Sequence, residues 1–209
     1  MDEIKPDSLN KAAKTISVIF HPIFAPLYGL ILIFSLPTIY GYLSLPLKKM
    51  LFLIVLVNNI ALPFSLLFFL KTKKHISSWE IENTRERMLP LFFVTILYAM
   101  TSYIVIKYPT PIFIKTYFIT IFFISSSITV INNWWKISIH AAGMGALTAL
   151  TLALTFRMHH LIILPLMIII TLAGLILSSR LKLNSHTPAQ AWTGFFLGFI
   201  ELFIFYLVV

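Results

Sequence analysis

Along this chain, long apolar runs alternate with short polar punctuation, and the runs are close to the length of a membrane-crossing helix. Reading the runs between charged or proline-containing breaks predicts spans at 15–39, 50–70, 89–106, 111–131, 137–156, 161–178 and 188–208, each near the ~20 apolar residues that cross a bilayer as an α-helix. The expected fold is all-α, a polytopic transmembrane helix bundle of about six to seven spans. Residues 1–14 mix Asp2, Glu3 and Asp7 with Lys5, Lys11 and Lys14 and read as a polar N-terminal arm, with 15–209 as a single transmembrane domain. The run at 15–39 is too long for a signal-peptide core and lacks a small-residue cleavage site. His21-Pro22 and Pro26 fall in its first turns, where proline is tolerated or bends a helix. His21 itself reads as a structural or lining residue.

Composition strengthens the membrane assignment. Hydrophobic residues are 59% of the 209 positions and charged residues 11%, with a mean hydropathy of +0.93. No water-soluble domain could cover that much apolar surface with so few polar groups. There is no cysteine, so disulfides, thiolate metal ligands and cysteine nucleophiles are excluded. The net charge of +9 favours lipid headgroups or phosphate esters as partners. Nucleic acid is not an expected partner, because the cations are dispersed through short membrane loops. Gly143, Gly145, Gly174, Gly194 and Gly198 mark places where helices can approach closely.

Three polar groups stand out. Arg85 and Arg87 precede the third span, Ser138 and His140 open the fifth, and Arg180 and His186 lie between the sixth and seventh. Two crossings separate each group from the next, so all three emerge on one side of the membrane. Ser138 can cap a helix whose free N–H groups favour a phosphate. An arginine fork matches two phosphoryl oxygens better than lysine does, and three of the four arginines fall in these loops. His159-His160 lies in a loop on the opposite side, and Glu201, deep in the last span, receives no role.

The stretch Ser179-Arg180, five residues, His186, three residues, Gln190 resembles the third motif of the PAP2 (type 2 phosphatidic acid phosphatase) superfamily, with Gln190 where that family has aspartate. Ser138-Ile139-His140 resembles its second motif in Ser-x-His spacing. Arg87 corresponds to the arginine of its first motif, and Arg85 is a substitute for the motif's lysine, whose position is Glu80 here. The resemblance implies a membrane lipid phosphatase without cofactor or metal: His186 attacks phosphorus, His140 protonates the leaving oxygen, and Arg85, Arg87, Ser138 and Arg180 hold the phosphoryl group. Phosphatidate, phosphatidylglycerophosphate and polyprenyl phosphate or diphosphate fit as substrates. Gln190 in the relay position could accept the Nδ1 proton of His186 but could not stabilise an imidazolium by charge. The nearest acids in sequence are Glu80, Glu82 and Glu86. The alternative is a catalytically degenerate lipid-phosphate binder or transporter of the same fold. Eleven of the sixteen Lys and Arg lie on the motif side, which by the positive-inside rule puts that side in the cytoplasm, with a bacterial inner membrane as the expected location.

Overall fold

The computed structural model describes residues 6–77, 81, 83–158 and 163–208. These form helices α1 (Pro6–Ile19), α2 (Ala25–Ser35), α3 (Leu45–Ile54), α4 (Leu62–Thr72), α5 (Thr84–Lys107), α6 (Ile112–Ile131), α7 (Ile139–Met158), α8 (Ile163–Lys182) and α9 (Pro188–Val208), with no strand among the described residues. Counting α1–α2 and α3–α4 as continuous units, seven helical segments are long and apolar enough to cross a membrane. The outward faces carry Phe64, Phe68, Phe92, Phe123, Ile204 and Leu207, all exposed, as a surface solvated by hydrocarbon requires.

The N-terminal region departs from the expected arm, because α1 begins at Pro6. Its Ala13 and Ser17 are buried and it packs against α8, while Lys11 and Lys14 stay outside. Packing of one apolar stripe therefore orders a segment whose composition alone reads as solvated. Pro22 then breaks the helix. Proline biases the preceding residue toward extended backbone, and His21 has φ −61° and ψ 136°. A second proline shapes the next unit. Pro63 has no N–H to donate and its ring would collide with the carbonyl of Asn59 in a regular helix. The preceding turn, Val55–Ala61, widens to a π-helix, and the Asn59 side-chain oxygen accepts a 2.6 Å bond from Thr101 on α5.

The innermost helix is α7. Ala141, Ala142, Ala149, Leu150 and Leu154 are fully buried, and its tightest neighbour is α9. A Cβ at Gly145 would collide with the Phe195 carbonyl, one at Gly194 with the Ser138 carbonyl, and one at Gly198 with the Ala142 carbonyl. Backbone touches backbone along this seam, the membrane counterpart of small-residue packing. Hydroxyls join α5 to α6: Thr95 lies 2.7 Å from Ser125 and 2.9 Å from Thr129, and Ser102 donates to the Phe118 carbonyl. Asn132, just past α6, donates to the Thr84 carbonyl at 3.0 Å, which ties the start of α5 to the end of α6.

A cationic cavity at one end of the bundle

The stretch after α8 is folded by two helix caps in immediate succession. Asn184 takes the left-handed conformation at φ 51°, its N–H bonds to the Leu181 carbonyl, and the Ser185 N–H bonds to the Arg180 carbonyl. This is the Schellman pattern that ends helices on Gly or Asn. Two residues later Thr187 opens α9. Its Oγ1 accepts from the Gln190 N–H at 3.3 Å, and Gln190 Oε1 accepts from the Thr187 N–H at 3.0 Å, with Pro188 in the first helical position. That is a capping box followed by proline at N1. His186 is clamped between the two caps and turned inward, 8% exposed.

These contacts give Gln190 a different task from the relay position implied by the sequence resemblance. Its side-chain oxygen is committed to the helix N-terminus, and His186 Nδ1 is buried without a hydrogen-bond partner. The signal was present in the sequence, since Thr187-Pro188-Ala189-Gln190 has the spacing of a capping box.

Arg87, His140, Arg180 and His186 line one cavity of about 190 Å³, together with His21 and Lys136. Arg87 is 7% exposed and Arg180 6%, a burial rare for arginine unless a partner is provided. Arg87 Nη2 reaches the Ile137 carbonyl at 3.4 Å, and its Nη1 is buried with no partner. The two guanidinium groups are close enough to repel one another, yet among the described residues no carboxylate lines the cavity. Burial first, then the charges of Arg180, Arg87 and Lys136, lower the His186 pKa from its ordinary 6.5 to about 4, opposed by an interaction with the Lys136 main chain. His186 is therefore neutral at physiological pH, with a lone pair available on its ring.

The other two histidines are also positioned by backbone. His21 Nδ1 accepts the Ile23 N–H at 3.3 Å, so the neutral ring carries its proton on Nε2. His140 lies in the first turn of α7, its Nε2 3.1 Å from the Ser17 carbonyl of α1. The rings of His21 and His140 meet edge to face at 5.4 Å. Sequence inspection left His21 as a structural or lining residue, and lining is its place here. Lys136, adjacent to the second motif, also joins the cavity.

Two expected phosphate contacts fall elsewhere. Arg85 is exposed and does not line the cavity, because positions two apart on an α-helix point some 200° apart, so α5 can turn only one of Arg85 and Arg87 inward. Ser138 is fully buried and acts as a cap, its Oγ accepting the Ala141 N–H at 3.4 Å, while its own N–H bonds to the Gln190 carbonyl. It fixes α7 against α9 and does not line the cavity. Glu86 Oε2 accepts both the N–H and the hydroxyl of Ser77, at 2.7 and 2.9 Å, closing the loop before α5. Glu80, Glu82 and His159-His160 lie outside the described residues. Glu201 has a buried oxygen without a partner, away from the cavity. Among the described residues no cluster of three His, Asp or Glu side chains could hold a metal ion.

The cavity thus gathers two arginine forks, a lysine and three imidazoles around a small space. No family model matches the chain, and no curated protein or solved structure matches it.

Proposed function

We propose that this protein is a membrane lipid phosphatase, cleaving a phosphomonoester or diphosphate of the phosphatidate, phosphatidylglycerophosphate or polyprenyl phosphate type through a phosphohistidine. One observation carries the reading: buried Arg87 and Arg180, close enough to repel one another, line one cavity with His186, His140 and Lys136, and Arg87 Nη1 is buried there without a hydrogen-bond partner. A doubly charged phosphoryl group offsets that repulsion and offers an acceptor to Arg87 Nη1. In the proposed reaction the neutral His186 donates its lone pair to phosphorus and the P–O ester bond breaks. His140, charged once the phosphate dianion is bound, gives its proton to the leaving oxygen, and water then cleaves the P–N bond and returns a proton to His140, leaving phosphate and neutral His186. The arginines stabilise the equatorial oxygens, where most of the rate acceleration in phosphoryl transfer arises. The cytoplasmic face of a bacterial inner membrane is the proposed setting, from the distribution of Lys and Arg.

A second reading, a lipid-phosphate binder or transporter without turnover, is favoured by one observation. Among the described residues His186 Nδ1 has no hydrogen-bond partner, and the Gln190 side-chain oxygen is occupied by the α9 cap. Phosphate release from a panel of lipid phosphates by purified protein in detergent separates the two. The phosphatase reading expects turnover of at least one lipid, abolished by His186→Ala and reduced about a hundredfold by Arg87→Ala. The absence of release from every lipid, with retained binding, supports the binder and overturns the phosphatase.

A further inference from the structure

The cavity does not end at the charged mouth. On α5 its wall continues through Leu91 and Val94 to Tyr98, and on α6 from Ile128 through Ile124 to Tyr117. Both series step by three, four or seven positions, so each helix offers one continuous stripe to the same space. On α7 the stripe is Gly143, Ala146 and Leu147, and two of those three are too small to obstruct it. The deepest residues are held firmly. Tyr117 donates its hydroxyl toward the Ala25 and Pro26 carbonyls at 3.2 and 3.3 Å and is 2% exposed. It lies under Gly29, where a Cβ would collide with its ring. Tyr98 is likewise buried.

We infer that this apolar extension is a blind slot for one hydrocarbon chain of the ligand, with Tyr98 and Tyr117 as a floor that sets the chain length accepted. The inference rests on the proposed lipid-phosphate site at the mouth. From Arg87 to Tyr98 the helix rises about 16 Å, the length of an extended chain of roughly twelve carbons at ~1.3 Å per methylene. Moving a tail from bilayer to slot exchanges one apolar surrounding for another and is nearly neutral. Chain length therefore matters through the floor: tails that fit bind alike, and longer ones must bend out of the slot or lift the phosphate from the arginines.

The test uses the full chain in nanodiscs and n-alkyl phosphonates of six to eighteen carbons, which cannot be hydrolysed, with affinity expressed per mole fraction in the bilayer. Affinity is expected to be level up to about twelve carbons and to fall at least tenfold by about sixteen. Val94→Phe, about 10 Å below Arg87, should move the break to about eight carbons. Ala146→Leu, at similar depth on α7, should do the same and guards against one variant failing to fold. Binding with no break, or a break unmoved in both folded variants, overturns the slot and leaves the anion site standing. Failure of every phosphonate to bind, at any length, overturns the reading of the mouth and the slot with it.

Discussion

His186 owes its chemistry to its surroundings. Its pKa of about 4, set by burial and then by Arg180, Arg87 and Lys136, lies below the 6.5 of an unfolded histidine. As pH falls from 6.5 toward 4 the unfolded chain takes up a proton at this position that the folded chain excludes. The stability present in full above pH 6.5 is thus lost across that window and levels off below it. Thermal unfolding in detergent between pH 7.5 and 4 should show a steeper loss for the native chain than for His186→Gln, the difference isolating this residue from the other histidines. Matching profiles would show that His186 is not held neutral. Gln190 makes a different prediction. Its amide closes a capping box, so Gln190→Glu, which reaches equally far and adds favourable charge at a helix N-terminus, should leave stability within about 0.5 kcal/mol. Gln190→Ala should cost about 1 kcal/mol. Gln190→Asp, one methylene shorter, should behave like the alanine variant and bring no gain in turnover. Enhanced turnover in Gln190→Asp would place position 190 behind the histidine after all.

At the scale of elements, the site depends on the α7–α9 seam. His140 sits at the start of α7 and His186 just before α9, and the Ser138 N–H reaches the Gln190 carbonyl at 3.3 Å only because backbones meet at Gly194 and Gly198. A side chain in that seam must push the helices apart or rotate them. Gly198→Leu is expected to cost about 1–3 kcal/mol as an overpacking change, and to weaken phosphonate binding although Gly198 does not line the cavity. Gly174 is the control, since a Cβ there meets nothing within 4 Å. Gly174→Ala should leave binding unchanged and raise the melting temperature slightly, since Ala favours the helix. Equal losses at the two glycines would remove the seam from the explanation.

For the whole molecule, the charges at the two ends of the bundle bear on which way it faces. If all seven helical segments cross, the start of α1 and the end of α9 lie on opposite sides of the membrane, and the proposed cytoplasmic setting of the cavity end rests on its excess of Lys and Arg. Part of that excess, Arg87, Lys136 and Arg180, lines the cavity and is explained by an anion as well as by topology. The proposed orientation expects a C-terminal reporter to be active only outside the cytoplasm, with a second reporter in the loop between α4 and α5 active only inside. Cytoplasmic activity of the C-terminal fusion reverses the orientation if the loop reporter also switches, and changes the span count if it does not.

The number and length of the helices, and the end of the bundle at which Arg87, His140, Arg180 and His186 gather, were legible in the sequence. Apolar run length is a local property read directly against bilayer thickness, and crossing parity follows from counting. Local chemistry also contained the caps at Asn184 and at Thr187 with Gln190, though the family likeness drew Gln190 toward a relay role while its side-chain oxygen closes the α9 cap. The ordering of α1 from Pro6 and the turning of Arg87 inward and Arg85 outward came from tertiary structure. So did the meeting of His21 with His140 and the apolar slot beneath them. All four depend on the rotation of each helix about its own axis, and in a chain that is apolar on nearly every face the sequence pattern scarcely marks one face from another. Rotation is decided by close contacts between helices, such as the glycine seam of α7 and α9, and those exist only once the bundle has packed.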